Sequence, residues 1–211
     1  MLELAPDASR LLHNWTPPNQ EALTHSDTDV GSTSPAILPA YRGLHHAVQG
    51  GKAGRLHLLN LARLNGTTQA AGGRLGGELG EVAAPGGGEV LTAPAVWSHA
   101  GHVYLFVGSD SGGAAYQLVG GPHPRLATVW SDGTAATSPV IAGGLLYMYD
   151  EAGGHLDIRR PETGAQLRAL PAAPGHWNSP IVVGGRAIEP TGSYHESSSS
   201  SSVYVYHLPG R

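Results

Sequence analysis

Polar and aromatic side chains concentrate between the predicted strands, in segments that could together bind a ligand. If the strands form successive four-stranded sheets around an axis, the turns between second and third strands open on the same face as the segments that lead into first strands. A concave mouth with a few polar groups and an aromatic ring is typical of small-ligand sites. Because Asp, Ser and Asn are also ordinary turn residues, a purely structural role stays open. The predicted ligand-binding residues are Asp27, Asp29, Ser32, Lys52, Asp110, His176, Trp177 and Asn178, with Ser109, Asp150, Glu151 and residues 194–202 in the same segments.

No metal site is predicted. Residues 27–31, Asp-Thr-Asp-Val-Gly, resemble the start of a calcium loop, because spaced carboxylates precede a glycine. The further oxygen ligands and the later glutamate are missing, so an Asx turn that introduces a strand is the favoured interpretation. Of the twelve histidines only His45 and His46 are close together, and neighbours in a strand point to opposite faces. We therefore expect the histidines to lie on the surface or to pack between sheets.

No catalytic residues are predicted either. The sequence contains no Gly-x-Ser-x-Gly elbow and no His-Glu-x-x-His motif, and its glycine clusters do not open a helix as a phosphate loop must. Cysteine is absent, which removes cysteine nucleophiles, thiolate metal sites and disulfides together. Residues 197–202 are a run of serine to which we assign no function.

The composition favours an all-β protein. The 31 glycines and 16 prolines among 211 residues are typical of many short strands joined by turns. Charged residues make up 13% and the net charge is -4, so no basic patch is present that could bind nucleic acid. No stretch reaches the roughly 18 apolar residues of a membrane helix, and no signal peptide is recognisable at the first residues. We therefore expect a soluble chain without a transmembrane segment.

Residues 135–170 show the repeating unit most clearly, as four short strands joined by three glycine-bearing turns. A proline before a small apolar run recurs at positions 35, 94, 139 and 180, at intervals of roughly 40 to 60 residues. Four-stranded propeller blades recur at similar intervals, and each blade must stack on neighbours to bury both of its faces. The sequence thus predicts one β-propeller domain over residues 1–211 with seventeen strands: a partial blade at 1–15, blades at about 32–85, 92–132 and 135–171, and an incomplete blade at 176–208.

The motifs of this unit resemble the PQQ-binding-like (quinoprotein-like) β-propeller repeat. The resemblance rests on an apolar-Gly-Gly hairpin, an aromatic strand, Asp-x-x-Gly-Gly and Pro-x-Thr-Gly, all within residues 135–170. Trp15 and Trp130 close fourth strands where the family often has a tryptophan that docks neighbouring blades, and Leu170 stands at the equivalent place in the clearest unit. Since such propellers usually have seven or eight blades, the chain resembles the C-terminal half of one. The resemblance also implies an extracytoplasmic location.

The predicted function is that of a non-catalytic binding or scaffolding module without a cofactor, for a protein or small-molecule partner. Open blade edges would allow self-association. The alternative is a truncated or degenerate quinoprotein (PQQ-dependent) dehydrogenase, which would need PQQ and calcium. The family's cofactor stacks on a vicinal cysteine disulfide, which this chain cannot form. A cation-dependent propeller that binds a sugar or metabolite is the third hypothesis.

Overall fold

The computed structural model describes residues 1–66, 76–192 and 201–207. Within these ranges, seventeen strands form five antiparallel sheets in which sequential strands pair. We name them the N-terminal hairpin (β1–β2) and blades I (β3–β6), II (β7–β10), III (β11–β14) and IV (β15–β17). The strands are Leu2–Leu4 and Leu11–Asn14 in the hairpin; Ala36–Tyr41, Leu44–Gln49, Arg55–Asn60 and Glu78–Ala83 in blade I; Ala95–His99, His102–Ser109, Gly112–Val119 and Arg125–Asp132 in blade II; Val140–Ala142, Leu145–Asp150, His155–Arg159 and Gln166–Pro171 in blade III; and Ile181–Val183, Arg186–Thr191 and Ser202–His207 in blade IV.

The first strand of every blade begins at the residue directly after the recurring proline, at Ala36, Ala95, Val140 and Ile181. The sequence predicted each of these strands to start one or two residues earlier. The difference follows from the chemistry of proline, which has no N–H to donate to a strand ladder but places the preceding residue in an extended conformation.

A two-residue turn joins the first and second strands of every blade, as the sequence predicted for Gly143-Gly144 and Gly184-Gly185. In blade III, Gly143 and Gly144 have φ angles of 60° and 77°. This pair of positive φ angles matches the tight hairpin turn whose twist fits antiparallel strands. Arg42-Gly43 and Ala100-Gly101 also have positive φ at both positions.

The segment at residues 16–34, for which the sequence predicted no helix, contains a short helix, α1 (Gln20–His25). The helix is too short to show an apolar repeat, but Glu21 in its first turn and His25 in its last turn suit the helix dipole. Two single turns of 3-10 helix lie at Leu61–Arg63 and Pro85–Gly87. The described part of the chain is otherwise all-β, as predicted.

The blades stack face to face around their first strands. The first strand of blade II contacts those of blades I and III, and the first strand of blade III contacts that of blade IV. A separate apolar core fills each interface: Leu56 and Leu105 lie between blades I and II, Phe106 and Met148 between blades II and III, and Ala187 packs with the core of blade III. This radial stacking of four-stranded sheets is the β-propeller fold, with about four blades.

Two tryptophans dock neighbouring sheets, as the resemblance implied. Trp15 follows the N-terminal hairpin, is fully buried and donates a hydrogen bond from Nε1 to Glu78 Oε2 in blade I (3.1 Å). Trp130 of blade II donates from Nε1 to the Pro161 carbonyl of blade III (2.7 Å). Leu170 packs without such a bond in the core that blade III shares with blade IV.

A buried ion network also links blades II and III. Arg159 and Asp157 are 6% and 2% exposed, and Arg159 Nη2 lies 2.7 Å from Asp157 Oδ2. Arg159 Nη1 also donates to Asp132 at the end of the fourth strand of blade II. Because all three charges are paired, the network is satisfied although it lies in the interior.

The two terminal sheets leave apolar side chains exposed. In blade IV these side chains are Ile181, Val183, Val203 and Val205, which are 50–65% exposed. Leu2 and Leu4 of the N-terminal hairpin are also exposed. The self-association expected from open blades stays a prediction. No helix in the described ranges is long and apolar enough to cross a membrane.

Candidate functional site

The turns between second and third strands meet the segments that lead into the next blade at one end of the array. The same backbone hydrogen bond occurs at three successive blades: Val90 N to Gly51 O (3.1 Å), Ala136 N to Ser109 O (3.0 Å) and Gly175 N to Glu151 O (3.2 Å). Each turn is therefore held by the segment that follows its own blade. The surface formed by these turns and segments is called the rim, and its charged and aromatic members are Asp27, Asp29, Lys52, Glu89, Asp110, Asp150, Glu151 and Trp177.

The blade I part of the rim is a lysine between two aspartates. Lys52 Nζ lies 2.8 Å from Asp29 Oδ2 and 3.8 Å from Asp27 Oδ2, and it donates to the Asp27 carbonyl at 3.2 Å. The hydrogen bond to Asp29 raises the pKa of Lys52, so the ammonium group is charged at neutral pH. A lysine thus neutralises the carboxylates that a calcium loop would need, which favours the structural interpretation of residues 27–31.

Three further predicted residues are engaged in turn structure. Ser32 donates from Oγ to the Val90 carbonyl (2.9 Å) and joins the segments before blades I and II. Asp110 accepts from the Glu89 backbone N–H at Oδ1 (2.9 Å), and Asn178 Oδ1 accepts from the His176 N–H (2.8 Å). Their carboxylate, hydroxyl and amide groups hold the loops in place. This is the purely structural role that the sequence left open as the alternative to ligand binding.

Trp177 is the exception among the predicted residues. It is 50% exposed although it is a large aromatic residue, and its φ of 56° places it in the left-handed region that non-glycine residues rarely adopt. The backbone N–H of Trp177 donates a hydrogen bond to Glu151 Oε2 (2.9 Å), and the indole ring stacks on the His176 ring with centroids 4.2 Å apart. Neighbouring groups therefore hold the indole at the surface in a strained backbone conformation.

The part of the rim beside Trp177 encloses very little volume, whereas clefts of about 370 and 440 Å³ lie along its blade I part, beside Asp27, Asp29 and Ser32. The cleft beside Trp177, lined also by Glu89, Asp110, Thr137 and Glu151, measures about 10 Å³, which is near the space of a single water molecule. Small ligands are usually enclosed in roughly 300 to 1,000 Å³. The predicted small-ligand mouth is therefore a shallow surface beside Trp177, while the clefts of the blade I part fall within this range.

The charge of the rim is negative. Its described carboxylates are Asp27, Asp29, Glu89, Asp110, Asp150 and Glu151, against the single ammonium group of Lys52. Sequence reasoning missed Glu89, although its position in the segment before blade II could have identified it by the same rule as the others. The predicted tract at 194–202 lies outside the described residues except for its last two positions, and most of the serine run lies outside them too.

A further cavity lies between α1, the turn at Gly50 and Gly51 in the blade I part of the rim, and the third and fourth strands of blade I. It has a volume of about 580 Å³. Its wall includes Leu23 of α1, the backbone of Gly50 and Gly51, and the side chains of His57, Glu78 and Glu81. Sequence reasoning placed His57 and Glu78 on the third and fourth strands of one blade but singled out none of these three polar side chains, because the sequence does not show the bulge that puts them on one face.

Comparisons with known proteins support the fold. No family model matches the sequence, and no curated protein matches it significantly. Among solved structures, the computationally designed Ika4 protein is 13% identical, with a TM-score of 0.51 over 84% of this chain and 92% of that one. The β-propeller domain of Cps50 (Swd1) from Myceliophteria thermophila is 12% identical, with a TM-score of 0.53 over 86% of this chain and 57% of that one. BamB from Moraxella catarrhalis is 21% identical, with a TM-score of 0.49, and the match covers 75% of this chain but only 42% of BamB.

Proposed function

We propose that this protein is a non-catalytic binding module whose rim docks a cationic segment of a protein partner. The observation that carries the proposal is Trp177, which is half exposed, held in a left-handed conformation and fixed by the Glu151 carboxylate. A left-handed conformation costs a non-glycine residue about 1–2 kcal/mol. Strain of this kind concentrates at functional sites, where the surrounding structure maintains it.

The chemistry of the rim matches a Lys or Arg side chain. An exposed indole face attracts a cation by roughly 0.5–2 kcal/mol, and the carboxylates beside it offer charge-assisted hydrogen bonds. Glu151 is in direct contact with the Trp177 backbone, so an aromatic face and a negative charge lie at one point. Aromatic residues of this type often dominate the energy of protein interfaces.

The shallow cleft favours a protein segment over a small molecule. A ligand that cannot be enclosed must gain its affinity from contacts spread over a surface, as peptides do. The dehydrogenase alternative receives no support from the cleft beside Trp177, which has a volume of only about 10 Å³. We also propose that the chain is a member of the PQQ-like repeat family, which the docking of Trp15 and Trp130 supports. The proposed extracytoplasmic location follows from that family.

The test is a titration of the purified protein with hexaarginine and, separately, with hexaglutamate, followed by calorimetry. Hexaarginine should bind, and Trp177→Ala should weaken this binding about tenfold, since a cation over an indole contributes on the order of 1 kcal/mol. Binding should also weaken as ionic strength rises above about 0.15 M. Equal affinity of the wild type and Trp177→Ala, or binding of hexaglutamate instead, would refute the proposal.

Two controls separate binding from folding. Glu162→Gln removes a carboxylate from the turn between the third and fourth strands of blade III, away from the rim, and should leave hexaarginine binding unchanged. The double variant His176→Ala, Trp177→Ala should keep the melting temperature within a few degrees, because Trp177 contributes little buried area. If the double variant unfolds, these residues belong to the core and the rim hypothesis fails.

A further inference from the structure

A histidine and two glutamates of blade I meet in the wall of the 580 Å³ cavity. His57 lies on β5, and Glu78 and Glu81 lie on β6. One atom from each, His57 Nδ1, Glu78 Oε1 and Glu81 Oε2, lies within 4.8 Å of the other two. We propose that these three side chains form a binding site for a divalent transition-metal ion of the Zn²⁺ type.

A strand irregularity brings the two glutamates to the same face. Residues three apart in a regular strand point to opposite sides of the sheet. In β6, however, Gly80 pairs with Leu58 while Glu78 pairs with Leu59, so Leu79 is an additional, bulged residue. The bulge restores Glu78 to the face of Leu59 and His57, where Glu81 already lies opposite His57. Bulges often redirect a side chain toward a functional site.

The spacing of the donor atoms is compatible with a metal ion, although His57 Nδ1 and Glu78 Oε1 also lie within hydrogen-bonding distance of each other. His57 Nδ1 is 3.4 Å from Glu78 Oε1 and 3.7 Å from Glu81 Oε2. N–H···O hydrogen bonds are commonly about 2.9 Å long. Two ligands bound at about 2.0–2.2 Å to a tetrahedral ion lie about 3.3–3.6 Å apart, which is close to the observed separations. Imidazole and carboxylate donors together suit Zn²⁺, whereas Ca²⁺ and Mg²⁺ prefer oxygen ligands alone.

The surrounding groups orient the ligands. Glu78, whose side chain is only 3% exposed, accepts a hydrogen bond at Oε2 from Trp15 Nε1, and this bond directs Oε1 toward His57. Arg55 Nη2 contacts Glu81 Oε1 at 2.9 Å and leaves Oε2 on the side of His57. Such outer contacts fix the ligands of metal sites. The adjoining cavity gives room for water or a small ligand at the remaining coordination positions.

The charges are also favourable. The two carboxylates exceed the one guanidinium of Arg55, so the described cluster has a net charge of -1 with His57 neutral. A divalent cation would balance the charge of the two carboxylates and bring the cluster with Arg55 to +1, since ligation requires a neutral imidazole and ionised carboxylates. If instead a protonated His57 held the two glutamates together as ion pairs, no metal would be needed. The titration below distinguishes a metal site from such an ion-pair cluster.

The test is calorimetric titration of chelator-treated protein with Zn²⁺, together with the visible absorption of the Co²⁺-loaded protein. We expect one equivalent to bind, and Glu81→Gln or His57→Gln to weaken the binding at least tenfold and to remove the Co²⁺ band. Trp15→Phe removes the indole N–H contact, although it also shrinks a fully buried ring that packs against His57, and it should weaken the binding about tenfold, as other outer-shell changes do. Ca²⁺ at the same concentration should not displace Zn²⁺.

The matched control is the His99–Glu162 pair, in which His99 Nε2 lies 3.7 Å from Glu162 Oε1 on an exposed surface. His99→Gln should leave the stoichiometry and affinity for Zn²⁺ unchanged. Far-ultraviolet circular dichroism of each variant checks that it is folded, and Glu81→Gln is the safest variant because Glu81 is partly exposed. Absence of stoichiometric binding, or equal binding by the wild type and Glu81→Gln, would overturn the inference.

Discussion

Replacing Glu189 with glutamine should remove a large pH dependence of stability. Glu189 lies on the second strand of blade IV and is 0% exposed, and neither of its carboxyl oxygens has a hydrogen-bond partner among the described residues. Tyr204 pairs with it across the strands, and Tyr149 of blade III lies nearby. The Tyr149 hydroxyl is already committed, because it donates to the Ala173 carbonyl at 2.7 Å. Burial therefore raises the pKa of Glu189 to about 8.

The sign and size of the effect follow from proton linkage. The unfolded chain releases the Glu189 proton near pH 4.5, whereas the folded chain keeps it up to about pH 8. The stability that the protonated carboxyl contributes is fully present below pH 4.5 and is lost as the pH rises to about 8. At about 1.4 kcal/mol for each tenfold change in proton affinity, the loss is at most on the order of 5 kcal/mol, and water penetration would reduce it.

Urea unfolding of the wild type and Glu189→Gln over this pH range measures the difference directly. The two proteins should have similar free energies of unfolding below pH 4.5, and glutamine should be the more stable by a few kcal/mol above pH 8. Glu21→Gln, on the exposed surface of α1, is the control and should follow the wild type throughout. A constant difference between Glu189→Gln and the wild type at all pH values would refute the reasoning.

Three further outcomes can be measured by urea unfolding. Asp157→Ala should lower the free energy of unfolding by about 3–5 kcal/mol, because it removes the carboxylate that accepts two hydrogen bonds from the buried Arg159 guanidinium. A decrease of less than about 1 kcal/mol would mean that water solvates the network. Gly144→Ala should lower the free energy of unfolding by about 1–2 kcal/mol, because a residue with a side chain disfavours the φ of 77° at this position. Steric crowding does not contribute, since no atom lies within 4 Å of the added methyl group. Gly31→Ala, equally uncrowded and without a positive φ, is its control and should change little. Trp177→Gly should raise the free energy of unfolding by about 1 kcal/mol and weaken hexaarginine binding about tenfold, as Trp177→Ala does, whereas a loss of stability would show that the indole is part of the packing.

The repeating architecture could be predicted from the sequence because its signals are local. A proline, a short apolar run, a two-residue turn and a second strand lie next to one another in the chain, and φ preferences alone specify the turn. Two predicted strands, 55–60 and 155–159, have the same bounds in the structure. The others differ by one to three residues at an end, where pairing rather than propensity decides the boundary. The helix α1 was missed because six residues carry no readable period.

The candidate site was predictable only in outline. That the turns of successive blades gather at one end follows from the repeat, so most members of the rim could be named. Whether a polar residue faces solvent or holds a loop depends on contacts between distant segments, as in the bond from Ser32 to Val90. The exposure of Trp177 likewise depends on Glu151, which lies in another turn.

The sequence by itself determined the β class, the repeat and the positions of the hairpin turns, because each depends on residues within one unit. The docking of Trp15 and Trp130 on neighbouring sheets was implied by the family resemblance. Only the tertiary structure decided which charges meet. His57, Glu78 and Glu81 lie on one face because of a bulge in β6, which no local sequence pattern predicts. Glu189 is buried because its strand packs against blade III. Strand pairing and blade stacking bring together residues that are far apart in the chain. The energy of such a contact depends on both partners, so the sequence around either residue does not predict it.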